Sequence, residues 1–143
     1  MNTRLVGSEM CIRDSLLDDV WINTKTDQLI VVDYKATSKD GEVSLDAPWQ
    51  ISYKRQVEIY QRLLRKNGFD VQDTAYFVYC NAIKKNILFD NKLHFKTKLI
   101  GYKGDDSWIE GTIKKMKSCL DSDNTPDSNK NCEHCRYVLK ANL

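Results

Sequence analysis

The chain lacks most of the features that would assign it a class at sight. No apolar run comes near the roughly 18 residues that a membrane-spanning helix requires. No apolar core of a secretory signal is present either, so neither a membrane partner nor export is expected, and the expected compartment is the cytoplasm. Charge is almost balanced, with 22 basic and 20 acidic side chains and a formal net charge of +2. That excess is too small to mark a nucleic-acid binder, and any such partner must be argued from local patches. The five cysteines, odd in number and irregularly spaced, do not form a disulfide framework. There is no internal repeat, no low-complexity tract and no glycine-rich loop of the kind that cradles phosphates, since G-Y-K-G from Gly101 to Gly104 reads as a turn. What remains is 143 residues, 41% hydrophobic and 29% charged, the make-up of an ordinary globular protein with one domain and a real core.

Within that domain the stretch Leu29–Lys35, L-I-V-V-D-Y-K, stands out. It is a short apolar, β-branched run, too short for a core helix and well suited to a buried strand. Side chains alternate along a strand, so Asp33 and Lys35 point the same way and Tyr34 the opposite way. An isolated D-x-K is commonly just the place where a strand meets its first charged residues. Here the preceding segment changes the reading.

Leu16–Asn23, L-L-D-D-V-W-I-N, is also rich in strand formers, and only the polar N-T-K-T-D-Q of Asn23–Gln28 separates it from the central run. Two strands with so short a break form an antiparallel hairpin. A turn centred between Lys25 and Thr26 sets Asp18 directly across from Asp33 on one face, with β-carbons roughly 4.5 to 5.5 Å apart. Asp19 then faces the other way, opposite Val32, although a slip of one residue reverses the choice. Opposed carboxylates are destabilising unless neutralised. A divalent ion such as Mg²⁺, which takes few carboxylates and completes its shell with water and phosphate, would do so.

The loop Lys39–Ala47 has Gly41 as its turn residue, and Pro48 is well placed at a first helical position. Good helix formers run from there to Asn67-Gly68, a left-handed stop. Tyr53, Gln56, Tyr60, Leu63 and Leu64 recur at three and four residues and are expected on one buried face. On that face Gln56 must find hydrogen-bond partners, and beside Tyr60 it can present donors to a phosphate or a base edge. Lys54, Arg55, Arg62, Arg65 and Lys66 make the remainder basic, which in many helices is only a solvated face.

In this order, D-D-V, then V-V-D-Y-K-A-T, then Q-V-E-I-Y resembles the PD-(D/E)XK nuclease superfamily in its RecB-like branch, which carries an aspartate on one strand, D/E-x-K on the next and Q-x-x-x-Y on the following helix. Asp18, Asp33 with Lys35, and Gln56 with Tyr60 fall on those motifs. The resemblance implies an α/β, restriction-endonuclease-like fold with a mixed sheet of about four strands. It implies Mg²⁺ or Mn²⁺ held by Asp18, Asp33 and the backbone carbonyl of Tyr34, with Lys35 orienting a water and Gln56 and Tyr60 bracketing the site. Phosphodiester hydrolysis on DNA would follow, as an exonuclease in repair, recombination or phage DNA metabolism with a helicase or recombination partner unknown. Lys39, Lys54 and Arg55, with Gln56 and Tyr60, are the expected DNA contacts. The alternatives are a DNA-binding module without catalysis and a small cysteine-metal interaction domain. Two departures stand out: Ser15 replaces the glycine the family often has before its first aspartate, and the upstream helix that often adds an acidic residue is missing.

Met1–Ser15 has no useful periodicity, and its V-G-S-E-M-C-I-R-D-S resembles translated sequencing-adapter sequence. Residues 1–15 are therefore set aside as a non-native scar, against the other reading of a native helix. The domain is taken as 16–143, the natural protein is expected to begin further upstream, and Cys11 is given no role. In the second half, Thr74–Asn81 reads as a central strand with Cys80 as a buried small hydrophobe. Lys92–Tyr102 reads as an amphipathic strand near an edge, with Lys96 and Lys98 outward and His94 on their face. Asp105–Leu120 reads as a helix capped by Asp105 or Asp106, with Trp108, Ile109, Ile113, Met116 and Leu120 as core positions. Asp121–Asn131 is a polar linker. In the terminal segment 131–143, Cys132 and Cys135 form a C-x-x-C that could supply two ligands of a second metal site. A closed zinc or iron-sulfur site needs four, so neither cofactor is expected in this chain.

Overall fold

The computed structural model describes residues 17–84, 91–124, 126–129 and 131–141. The readings made for Met1–Ser15, and for Leu16 at the start of the first strand, lie outside the described residues. The chain divides into two compact units, the first ending at Asp106 and the second beginning at Ser107.

The first unit contains strand β1 (Asp19–Ile22), strand β2 (Leu29–Thr37), a 3₁₀ turn (Pro48–Gln50) that runs into helix α1 (Ile51–Lys66), strand β3 (Thr74–Ala82) and strand β4 (Phe95–Lys103). The strands form one sheet in the order β1-β2-β3-β4. β1 and β2 are the expected antiparallel hairpin, with Asp19 opposite Val32 and Ile22 opposite Leu29. Its turn closes with the Asn23 amide donating to the Gln28 carbonyl at 2.9 Å, and Asp27 takes a left-handed φ of 57° there, a conformation that aspartate tolerates. β3 lies parallel to β2, the pairing that a crossover through α1 allows. β4 then returns antiparallel as the edge strand. The sheet is therefore mixed and four-stranded, as expected, with β2 and β3 at its centre.

One face of the sheet carries the core. Val31 of β2, Ala75, Phe77 and Tyr79 of β3, Val57 and Tyr60 of α1, and Val71 pack together, and the loop after β2 adds Val43 and Leu45. Polar side chains are also drawn into the buried side of α1. Glu58 accepts from the Tyr102 hydroxyl at 2.6 Å and from the Asp105 amide at 3.2 Å. Burial and the Glu58 carboxylate push the Tyr102 hydroxyl up to about 12, because ionisation there would add a second negative charge. Gln61, 1% exposed, donates to the carbonyls of Gln72 and Asp73 at 3.0 and 2.8 Å and ties α1 to the start of β3.

The expected apolar stripe of α1 needs one correction. Leu63 is 46% exposed. The buried line of α1 runs through Val57, Tyr60 and Gln61, which turns Leu63 to its flank. The expected solvated basic residues are also not all free of structure: Arg65 bridges Asp73 at 2.8 Å and Asp106 at 3.0 Å. Cys80 is half-buried rather than buried, with Sγ 4.0 Å from the Thr97 hydroxyl.

Gly104 shows how tightly this side is built. A Cβ at Gly104 would collide with Gln61 Oε1 and crowd Gln61 Cδ and Glu58 Cγ at 3.3 Å each. Gln61 cannot swing away without giving up its two carbonyl partners. Gly104→Ala is therefore expected to cost about 1–3 kcal/mol, as overpacking does. Thermal unfolding should show a loss of several degrees, and an unchanged midpoint would mean that Gln61 repacks freely.

The second unit holds helix α2 (Ser107–Leu120) and helix α3 (Glu133–Ala141). Of the five positions expected in the core, Ile109 is buried and Trp108 half-buried, whereas Ile113, Met116 and Leu120 are 59%, 57% and 81% exposed. Apolar spacing marks a face that can be covered, and here most of it is open to solvent. The described residues between α2 and α3 form no helix or strand, consistent with the expected linker, while α3 itself was not anticipated.

Candidate active site

The last three residues of L-I-V-V-D-Y-K fall where β2 leaves the core. Asp33 pairs with Phe77 and Lys35 with Tyr79, so both side chains lie on the face covered by α1, and Asp33 is 1% exposed. Lys35 Nζ lies 2.7 Å from Asp33 Oδ2 and donates to Gln56 Oε1 at 3.3 Å. It also sits 4.3 Å from the ring centroid of Tyr53, within range of a cation–π contact. Gln56 in turn donates from Nε2 to the Tyr60 hydroxyl at 2.8 Å, one helical turn along α1. Acid, ammonium, amide and phenol thus form a continuous chain across β2 and α1.

Asp18 joins them from the residue just before β1. Its Oδ2 accepts the Tyr34 backbone amide at 2.9 Å, a donor that β1 does not reach. Asp19 lies on the opposite face, as the hairpin register requires. It accepts from the Tyr34 hydroxyl at 2.9 Å, the Trp21 indole at 3.0 Å and the Val20 amide at 2.8 Å. Those donors, the Tyr34 hydroxyl first, hold the Asp19 carboxyl below its ordinary value. Asp19 is thereby committed to the far face, and Asp18 is the carboxylate left beside Asp33.

Asp33 is electrostatically unsettled. Burial pushes its carboxyl up, Lys35 pulls it down, and the neighbouring Asp18 carboxylate pushes it up again. Among the described residues neither carboxylate oxygen of Asp33 has a hydrogen bond of proper geometry. Oδ2 has the ion contact with Lys35, and Oδ1 has no hydrogen-bond donor. A buried carboxylate oxygen without a donor is costly. It is also the electronic state that a hard cation requires of a ligand. The donor set fits Mg²⁺ or Mn²⁺ on that ground. Among the described residues no group of three or more His, Cys, Asp or Glu side chains converges, so two carboxylates would rely on main-chain oxygen, water and phosphate for the rest.

Next to Lys35 opens a cleft of about 210 Å³ lined by Thr37, Lys39, Ser44, Trp49 and Tyr53. Its back wall depends on Gln50, which sequence reasoning passed over. Gln50 is 5% exposed and accepts the Ala47 amide at 2.9 Å. It donates to the Ser44 carbonyl at 2.6 Å and to the Tyr79 hydroxyl at 3.1 Å. Its place three residues after Ala47, where glutamine can reach back to the amide before a helix, was the available signal.

The candidate DNA contacts divide. Lys39 lines the cleft, and its backbone is held both ways by Asn81, which accepts from its amide and donates to its carbonyl, each at 2.9 Å. Lys54 lies over the Tyr102 ring at 5.6 Å and lines a neighbouring depression with Ser44 and Lys98. Arg55 is exposed on α1 and lines neither hollow.

Cys132 lies just before α3 and Cys135 in its first turn, the Cys135 amide 3.5 Å from Cys132 Sγ. That donor, with the Cys135 thiol, lowers the Cys132 thiol, while the same partner raises Cys135. The described residues bring no third and fourth ligand to them.

A scan of protein families matches the PD-(D/E)XK nuclease superfamily over residues 16–138. The chain belongs to that superfamily. Its mixed four-stranded sheet, with α1 packed on one face, is the restriction-endonuclease-like α/β fold. A search of the curated proteins and a search of the solved structures find no match. No helix among the described residues is long and apolar enough to cross a membrane.

Proposed function

We propose that this PD-(D/E)XK protein is a metal-dependent deoxyribonuclease of the RecB-like branch, acting as an exonuclease on DNA. The observation that carries the reading is the buried Asp33 carboxylate beside Asp18, its Oδ2 in ion contact with Lys35 and its Oδ1 without a hydrogen-bond donor. Asp18, Asp33 and the Tyr34 main-chain carbonyl would hold Mg²⁺ or Mn²⁺, which when bound supplies Lewis-acid polarisation of the phosphate and a lowered water pKa. The Q-x-x-x-Y pair supports the branch, because Gln56 and Tyr60 are spent on positioning: Tyr60 accepts from Gln56, and Gln56 accepts from Lys35. Lys35 is thereby aimed: with two N–H groups directed at Asp33 and Gln56, the third can orient a water or meet charge growing on a phosphoryl oxygen. Hydrolysis breaks one P–O ester bond, with water delivering hydroxide to phosphorus and a proton to the departing sugar oxygen. No covalent enzyme intermediate is required.

The test is release of acid-soluble nucleotides from linear and from covalently closed circular DNA. Linear DNA is expected to be degraded in Mg²⁺ or Mn²⁺ and untouched in EDTA, while circles persist. Cleavage of circles would replace exonuclease by endonuclease. Degradation in EDTA would remove the metal from the mechanism, and tight DNA binding with no release in any divalent ion would leave a DNA-binding module.

A further inference from the structure

Building on the nuclease reading, we propose that the cleft beside Lys35 is a subsite for one unpaired nucleotide of a single DNA strand, its base stacked on Trp49 and its phosphate facing Lys39. Trp49 is 60% exposed, on the turn that precedes α1. A single exposed tryptophan is ordinary. This one is fixed in place and connected to the reactive centre. Tyr53 meets it nearly perpendicularly, with centroids 5.4 Å apart and planes at 85°, which restrains the indole while using only part of its surface. The same Tyr53 ring sits 4.3 Å from Lys35 Nζ. One tyrosine therefore lies between the exposed indole and the Lys35 ammonium, so a base stacked on the first and a phosphate at the second would belong to the same short stretch of strand.

The rest of the cleft has matching chemistry. Lys39 brings a cation, and Asn81 clamps its backbone through two 2.9 Å hydrogen bonds, so the charge projects from a held loop. Thr37 and Ser44 add hydroxyls that can meet phosphate or sugar. Aromatic platforms beside a basic groove bind single strands with little regard to sequence, because every base has a π-face. A base that is paired and stacked in a duplex cannot present that face to Trp49. The substrate class that follows is single-stranded DNA or a frayed strand end.

Binding can be separated from cleavage by measuring fluorescence anisotropy of labelled oligothymidylate in EDTA, with a blunt duplex of equal length as comparison. Trp49→Ala should weaken oligothymidylate binding by about tenfold, Trp49→Phe should retain most of it, and duplex binding should not change. In Mg²⁺ the same variant should raise KM on single strands more than it lowers kcat. Lys39→Ala should weaken binding and flatten its salt dependence by about one ion. Equal binding by wild type and Trp49→Ala, or equal losses on both substrates, would overturn the subsite, and an unchanged salt slope in Lys39→Ala would overturn its phosphate half. If binding depends on Trp49 and no divalent ion supports cleavage, the subsite stands and the nuclease reading falls. If cleavage depends on Lys35 and ignores Trp49, the reverse holds.

Discussion

Lys35→Ala is expected to lower Mg²⁺-dependent DNA cleavage by about 10²- to 10⁴-fold, the range that removal of a positioned proton-transfer or charge-stabilising group covers. The expectation follows from how many groups hold one ammonium. Asp33 is 2.7 Å from Nζ, Gln56 accepts from it at 3.3 Å, and the Tyr53 ring lies 4.3 Å away. No other lysine among the described residues is within ion-pair distance of Asp33, so nothing stands ready to replace it. The loss should fall mainly on kcat, because in the proposed mechanism Lys35 would act on charge that grows in the transition state rather than on the bound strand. Lys35→Arg should recover little, since a planar guanidinium cannot occupy the position of a compact ammonium held by an acid, an amide and an aromatic face. Gln56→Ala, which leaves the ammonium in place but releases one restraint, should fall between wild type and Lys35→Ala. Initial rates at saturating DNA check all three, and near-normal kcat in Lys35→Ala would remove Lys35 from the chemistry.

These residues were legible because their relations are local. The polar break Asn23–Gln28 and strand periodicity set the hairpin register, and the observed pairs Asp19 with Val32 and Ile22 with Leu29 are those that the turn position dictates. Gln56 and Tyr60 meet because four residues make about one helical turn. What escaped notice depends on partners far along the chain. Glu58 looks like a solvated helix residue until Tyr102 and Asp105 are brought to it. Gln61 is buried because the Gln72 and Asp73 carbonyls need donors. Gln50 closes the cleft only because β3 delivers Tyr79. Val43 and Leu45 sit in a stretch that reads as a loop, yet they enter the core because the crossover between parallel strands passes over it. The outward turn of Leu63 is the other side of the same effect: polar residues with distant partners displaced an apolar one from the buried line.

Metal-free stability should separate the two charged members of β2 in opposite ways. Asp33→Asn keeps the volume, removes a buried charge and relieves its repulsion with Asp18, while Lys35 retains Gln56, the Tyr53 ring and some access to solvent. Its unfolding midpoint without divalent ions should stay close to that of the wild type. Lys35→Ala does the reverse, leaving the Asp33 carboxylate buried beside Asp18 with no cation, a loss of about 3–5 kcal/mol for a broken buried pair. Mg²⁺ should then act differently on each. A ligand at about 100 times its Kd adds roughly 2.7 kcal/mol to the folded state. The wild type should gain stability, Lys35→Ala should gain more because the ion also replaces the missing positive charge, and Asp33→Asn should gain little. Thermal unfolding with and without Mg²⁺, supported by titration calorimetry, reads all three proteins on one scale without any assay of cleavage. Equal stabilisation of Asp33→Asn and wild type by Mg²⁺ would mean that the bare oxygen of Asp33 is not a metal ligand. A Lys35→Ala protein as stable as wild type without metal would mean that the two aspartates do not burden each other as their proximity implies.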